Sequence, residues 1–145
     1  MKTSLTRSRS VVRTILLLAA GVWVAGSASG VRGQETSAVV KPVRAEKLPN
    51  VPGKTLTAVT VSYAPGGKSS AHRHAGSVFA YVLTGAIRSE NSATGPAKVY
   101  RAGETFFEPP GSEHLVSENA SATEPASLLA VFVADDGAQL TTFGK

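Results

Sequence analysis

The hydrophobic positions of the chain fall mostly into short runs with β-branched residues, separated by turn residues about every eight to twelve positions. Residues 78–83 are apolar throughout, which is typical of a strand covered on both faces. After residue 33, no segment keeps the helical period of 3.6 residues. The strands predicted from this pattern are 55–63, 78–83, 86–89, 97–101, 105–108, 113–118 and 128–134. So many short strands predict one all-β domain, built as two packed sheets or a closed barrel.

The first 33 residues follow the pattern of a secretory signal peptide. Four basic residues and no acid precede an apolar run over residues 15–25, and small residues follow at 26–30. The run is about eleven residues long and falls short of the roughly 18 that a membrane-spanning helix needs. We predict a signal peptide over residues 1–33, cleaved or kept as an N-terminal anchor. The domain is then exported, either to a bacterial periplasm or into the medium.

The remainder divides by composition into three parts. Residues 34–54 are polar and interrupted by prolines, with a weak strand near 38–41, and form an N-terminal extension. Residues 55–136 carry the predicted strands and form the barrel, and residues 137–145 form a C-terminal segment.

The net charge of +5 belongs to the predicted leader. From Gln34 onward the chain carries ten Lys or Arg and ten Asp or Glu, with no run of basic residues. Nucleic acid is therefore not expected as a partner, nor is a membrane once the leader is cleaved. The chain has no cysteine, which excludes disulfides, thiolate zinc sites, iron–sulfur clusters and thiol nucleophiles.

The three histidines of the chain are candidates for a metal site. His72 and His74 are two positions apart, so on a strand both side chains leave the same face. His114 lies 40 residues later on another predicted strand. Divalent ions accept neutral imidazole nitrogens, and three such ligands leave positions open for water, substrate or oxygen. Taken singly, each histidine would more often be an ordinary core or surface residue, so the case depends on the segments around them.

Those segments resemble the two sequence motifs of the cupins. The matching positions are Gly66-x5-His72-x-His74-x3-Val78-x6-Gly85 and Gly103-x5-Pro109-x-Gly111-x2-His114-x3-Glu118. The chain is thereby similar to small single-domain cupins with the type-2 conserved barrel, also described as RmlC-like jelly rolls. The resemblance spans about residues 50–135 and implies a double-stranded β-helix. It also implies a divalent metal on His72, His74 and His114, with Fe(II) as first choice and Mn, Ni, Zn or Cu as alternatives.

The chain departs from the cupin motifs at two positions. The carboxylate ligand that cupins usually carry falls at Val78, and their closing asparagine falls at Glu118. Glu118 lies four residues after His114 and shares its strand parity. We therefore predict that Glu118, rather than Glu108, points into the cavity, where it acts as a catalytic general base or supports the metal ligands and is not itself a ligand.

Two functions remain open from the sequence. The resemblance implies a dioxygenase-like metalloenzyme acting on a small molecule, and isomerase or decarboxylase chemistry suits the same fold. The alternative is a cupin that binds or senses a metal or small ligand without turnover. Cupins often form homodimers, and the segment 38–46 offers a strand for that purpose.

Overall fold

The computed structural model describes residues 38–144, and the predicted signal peptide lies outside these residues. The described chain consists of strands and turns, and within it no helix is long and apolar enough to cross a membrane. The strands are β1 (Ala38–Lys47), β2 (Lys54–Tyr63), β3 (Lys68–Ser69), β4 (His72–His74), β5 (Ser77–Thr84), β6 (Ala86–Asn91), β7 (Gly95–Arg101), β8 (Thr105–Glu108), β9 (Glu113–Asn119), β10 (Ala126–Asp135) and β11 (Thr141–Phe143).

The strands form two antiparallel sheets around one core. The first sheet has the order β1-β2-β10-β5-β8, and the second has the order β11-β4-β9-β6-β7, with β3 beside β9. The inward positions of β5 and β10 alternate with outward ones, and Val78, Val82 and Phe132 pack with Ile87 of the second sheet. The all-β prediction is confirmed, and the architecture is that of a double-stranded β-helix jelly roll.

Every strand predicted after residue 54 is present, and the weak strand predicted near 38–41 is the start of the longer strand β1. The strands β3, β4 and β11 are additional to those predicted. Strand β1 pairs with β2 from Ala38 opposite Tyr63 to Lys47 opposite Thr55. Pro42 is tolerated because β1 is an edge strand, and the register shifts just after this proline. In the C-terminal segment, β11 pairs with β4 and so lies beside the first two histidines.

A β-bulge in β9 changes which side chains of that strand face inward. On the neighbouring strand β6, Asn91 is opposite His114, but Glu90 is opposite Val116, so β9 carries one extra residue there. An extra residue shifts the alternation of faces by one position. His114 is buried, and after the bulge the buried positions are Ser117 and Asn119, with Glu118 between them.

We expect an Ile87→Ala variant to lose about 3 kcal/mol of unfolding free energy, because its side chain is 0% exposed and its removal leaves a cavity. Val99 on the adjacent strand β7 is 43% exposed, and Val99→Ala should cost less than about 1 kcal/mol. Denaturant titration of both variants measures the difference. Equal losses would show that the core is not centred where the structure places it.

Candidate metal centre

The pairing of β4 with β9 brings the three histidines together. His72 and His74 leave the same face of β4, while Arg73 between them points outward to the Glu113 carboxylate. In the register of the two strands, His72 lies directly opposite His114. All three histidines are buried, with at most 8% of each exposed.

One ring nitrogen from each of the three residues lies within 4.8 Å of one ring nitrogen from each of the other two. The ring centroid of His72 is 4.7 Å from that of His74 and 5.0 Å from that of His114. The prediction that these histidines converge inside the barrel is confirmed.

Two of the rings are held with one nitrogen free for a ligand. His72 donates from Nδ1 to the Ser70 carbonyl at 2.7 Å, and His74 Nδ1 lies 3.1 Å from the carbonyl of Leu140. A carbonyl only accepts, so the contact of His72 places its proton on Nδ1 and leaves its Nε2 lone pair available. The Nδ1 of His74 also lies 3.1 Å from the Thr141 hydroxyl oxygen, and its contact with the Leu140 carbonyl requires the same tautomer. Burial lowers the pKa of both histidines, which favours the neutral form that binds metals.

The ring of His114 is oriented differently. Its Nε2 lies 2.8 Å from the hydroxyl oxygen of Ser89, whereas its Nδ1 is buried and makes no hydrogen bond. Buried polar atoms are rarely left without a partner in folded proteins. With two free Nε2 atoms and this unpartnered Nδ1, the donor set fits a divalent ion.

Glu108 is the acidic residue of the described chain that reaches this site. It is 3% exposed, and its Oε2 lies 3.1 Å from His114 Nδ1 and 3.9 Å from His74 Nε2. Burial raises the pKa of its carboxyl group, but the close contact with His114 and the neighbouring histidines lower the pKa by more. The carboxylate is therefore the favoured form.

The prediction that Glu118 rather than Glu108 enters the cavity is wrong. Glu118 instead makes an ion pair of 3.0 Å with Arg88 and does not line the cavity. Strand parity counted from His114 gives the wrong face for Glu118, because the bulge in β9 lies between these two residues. The alternation of side chains along β8 could have identified Glu108 as the inward acid, because Phe106 and Glu108 share the buried face of that strand.

A cavity of about 110 Å³ opens beside the histidines. Most of its wall is apolar and comes from β1, β2, β5, β10 and β11, including Val40, Phe132 and Phe143. Tyr63, Ser69 and Ser117 add hydroxyl groups, and the Tyr63 hydroxyl lies 2.7 Å from that of Ser117. Within residues 38–144, no lysine or arginine lines this cavity.

The chain matches the sequence model of one protein family. The family model described as "Cupin domain" matches residues 59–132. A search of the curated proteins finds no match.

Solved structures resemble the chain at low identity. An uncharacterized conserved protein with a double-stranded β-helix domain from Klebsiella pneumoniae has a TM-score of 0.59 and 21% identity, over 79% of this chain and 90% of that one. A recombinant oxalate oxidase in complex with glycolate has a TM-score of 0.58 and 22% identity, over 75% of this chain. The DMSP lyase DddQ from Ruegeria pomeroyi has a TM-score of 0.52 and 19% identity, over 61% of this chain and 42% of that one. The match spans 56% of the oxalate oxidase, a little over half its length. At these identities the likeness establishes the fold.

Proposed function

The chain belongs to the cupin domain family, and on that premise we propose that His72, His74 and His114 bind one divalent metal ion that holds a small molecule in the adjoining cavity. The observation that carries this proposal is the buried Nδ1 of His114, which has no hydrogen-bond partner in a cluster with two rings whose Nε2 atoms are free. A bound ion would satisfy all three nitrogens.

Fe(II) is the ion we propose first, with Mn, Ni, Zn or Cu as alternatives that accept the same ligands. When bound, the ion supplies a Lewis acid with positions open for a substrate or oxygen. The chain orients its ligands through hydrogen bonds to the opposite ring nitrogens, as metal-binding histidines generally require.

The cavity wall supports a small ligand with an apolar part. Valine, alanine, phenylalanine and leucine side chains together form most of the wall, and no lysine or arginine of the described chain is present to hold a second negative charge. Burial raises the pKa of Tyr63, so its hydroxyl stays protonated and is available to donate a hydrogen bond. These features favour a neutral, enolisable or singly charged molecule over a dianion.

We propose dioxygenase-like chemistry as the first activity to test, with isomerisation or decarboxylation next. The similar oxalate oxidase was crystallised with glycolate, a small hydroxy acid, which supports a ligand of that size. The alternative proposal is a cupin that binds a metal or small ligand without turnover.

One experiment tests the metal proposal and separates the two activities. Elemental analysis of the purified protein should find about one divalent ion per chain, and an oxygen electrode then follows consumption with a panel of small acids and diketones. Turnover supports an enzyme, whereas one ion without turnover supports the binding function. The metal proposal would be contradicted if the protein contained no metal after purification and bound none when Fe(II), Mn, Ni, Zn or Cu was added.

We further propose that the domain is exported after loss of residues 1–33 and that it forms a homodimer. The supporting observations are the signal-like leader and the open edge of β1, whose Val39, Val40 and Val43 are exposed. Sequencing the N-terminus of the protein from an extracellular fraction tests the first point, and light scattering tests the second.

A further inference from the structure

The position of the missing carboxylate has a direct neighbour across the sheet. Val78 on β5 lies opposite Glu108 on β8, and both side chains are buried on the same face. Residues paired in this way have Cβ atoms about 4.5–5.5 Å apart. A glutamate at either position can therefore bring its carboxylate to the same region of the cavity.

One distance around Glu108 matches that between two ligands of one ion, and a second distance is somewhat longer. Two ligand atoms about 2.1 Å from a shared ion lie about 3.0 Å apart at right angles and about 3.4 Å apart in a tetrahedral arrangement. Glu108 Oε2 is 3.1 Å from His114 Nδ1 and 3.9 Å from His74 Nε2. The carboxylate oxygen thus lies at ligand spacing from one imidazole and close to it from another.

The contact with His114 lacks the geometry of a hydrogen bond. The Nδ1 atom stays without a hydrogen-bond partner although the carboxylate oxygen is only 3.1 Å away. A direct proton bridge between them would instead align the N–H with the oxygen.

A neighbouring amide holds the carboxylate in place. Asn91 Nδ2 donates to Glu108 Oε2 at 3.3 Å and to the Ser112 hydroxyl at 2.9 Å. Metal-binding carboxylates are commonly anchored by such hydrogen bonds.

From these observations we infer that Glu108 is a fourth ligand of the metal, supplied by β8 in place of the carboxylate that cupins carry at the position of Val78. This inference rests on the proposed metal site. The site then offers three neutral imidazoles and one carboxylate. A divalent ion and these four ligands together carry a net charge of +1.

The test compares Glu108→Gln with Glu118→Gln, because each removes one carboxylate and only the first lies at the site. Metal-free protein is titrated with cobalt(II) chloride, and calorimetry gives the affinity while visible absorption reports the ligands of the ion. We expect Glu108→Gln to weaken binding about 10- to 100-fold and to change the cobalt spectrum. Glu118→Gln should stay within about twofold of the unmodified protein.

The results separate this inference from the metal site itself. If the unmodified protein binds cobalt and Glu108→Gln binds it equally well with the same spectrum, the inference is overturned and the histidine site stands. Equal weakening in both variants would also overturn it, since that would indicate a general effect of charge. If the unmodified protein binds no cobalt, the proposed function itself fails.

A double variant moves the carboxylate across the sheet. Val78→Glu/Glu108→Val keeps one valine and one glutamate in the same cross-strand pair, and it should recover binding to within about tenfold of the unmodified protein. If circular dichroism shows that Glu108→Gln does not fold, this double variant replaces it as the test of the fourth ligand. A folded double variant with no recovery of cobalt binding would overturn the inference.

Discussion

His114→Ala should weaken metal binding by at least about 100-fold, more than loss of a residue that only supports a ligand. The change removes the nitrogen supplied by β9 and leaves the two from β4, which alone do not surround an ion. The measurements are the metal content after purification and the affinity for added cobalt(II). The substitution also removes a contact with Ser89, so His114→Gln should be tested beside it as a variant of similar size.

Arg73→Ala is the matched control for this prediction. Arg73 lies between His72 and His74 on the same short strand, but its side chain points outward to Glu113 and to the carbonyl of Gly111. We expect this variant to keep its metal. Full metal content in His114→Ala, or an equal loss in Arg73→Ala, would contradict the site.

Gly76→Ala should destabilise the domain by about 4 kcal/mol or more, which is a large part of the roughly 5–15 kcal/mol that stabilises an ordinary domain. Gly76 lies in the turn between β4 and β5, directly against β10. A Cβ added there would lie 2.1 Å from the Val133 carbonyl oxygen and 2.7 Å from the Ala134 Cβ. Neither is the flexible end of a side chain, so the backbone of β10 or the turn must move, and Gly76 lies only two residues after His74.

Gly137→Ala separates crowding from backbone strain. Gly137 has a φ of 76° and no atom within 4 Å of an added Cβ. Gly137→Ala should therefore lower the unfolding free energy by only about 1–2 kcal/mol, which is the cost of a left-handed conformation for a residue with a Cβ atom. Thermal and denaturant unfolding of the two variants measure the difference, and an equal loss in both would show that Gly76 is not tightly packed against β10.

Much of the fold follows from local patterns in the sequence. Strands such as β5 and β10 carry apolar runs bounded by turn residues, and Gly85, which ends β5, has the positive φ expected of such a turn. The convergence of His72, His74 and His114 could also be predicted, because strand parity and the cupin motif spacing both point to one face.

The acidic residue of the site could not be chosen correctly in the same way. The bulge at Leu115 and Val116 is a pairing feature of β6 with β9, and strand parity counted along β9 alone misses it. The pairing of Val78 with Glu108 across the sheet could not be predicted either, because it depends on the register between β5 and β8, and these two residues are 30 positions apart in the sequence. The contribution of β11 to the cavity depends on its long-range pairing with β4. The contribution of β1 comes from a hairpin with β2, but the sequence of β1 itself carries only a weak strand signal.

The most direct test of the metal site is a crystal structure of the metal-loaded protein, with data collected at the absorption edge of the ion. The account predicts one anomalous peak inside the barrel, about 2.0–2.3 Å from one ring nitrogen each of His72, His74 and His114. A loaded crystal with no peak among these three rings, or with its peak elsewhere on the chain, would contradict it.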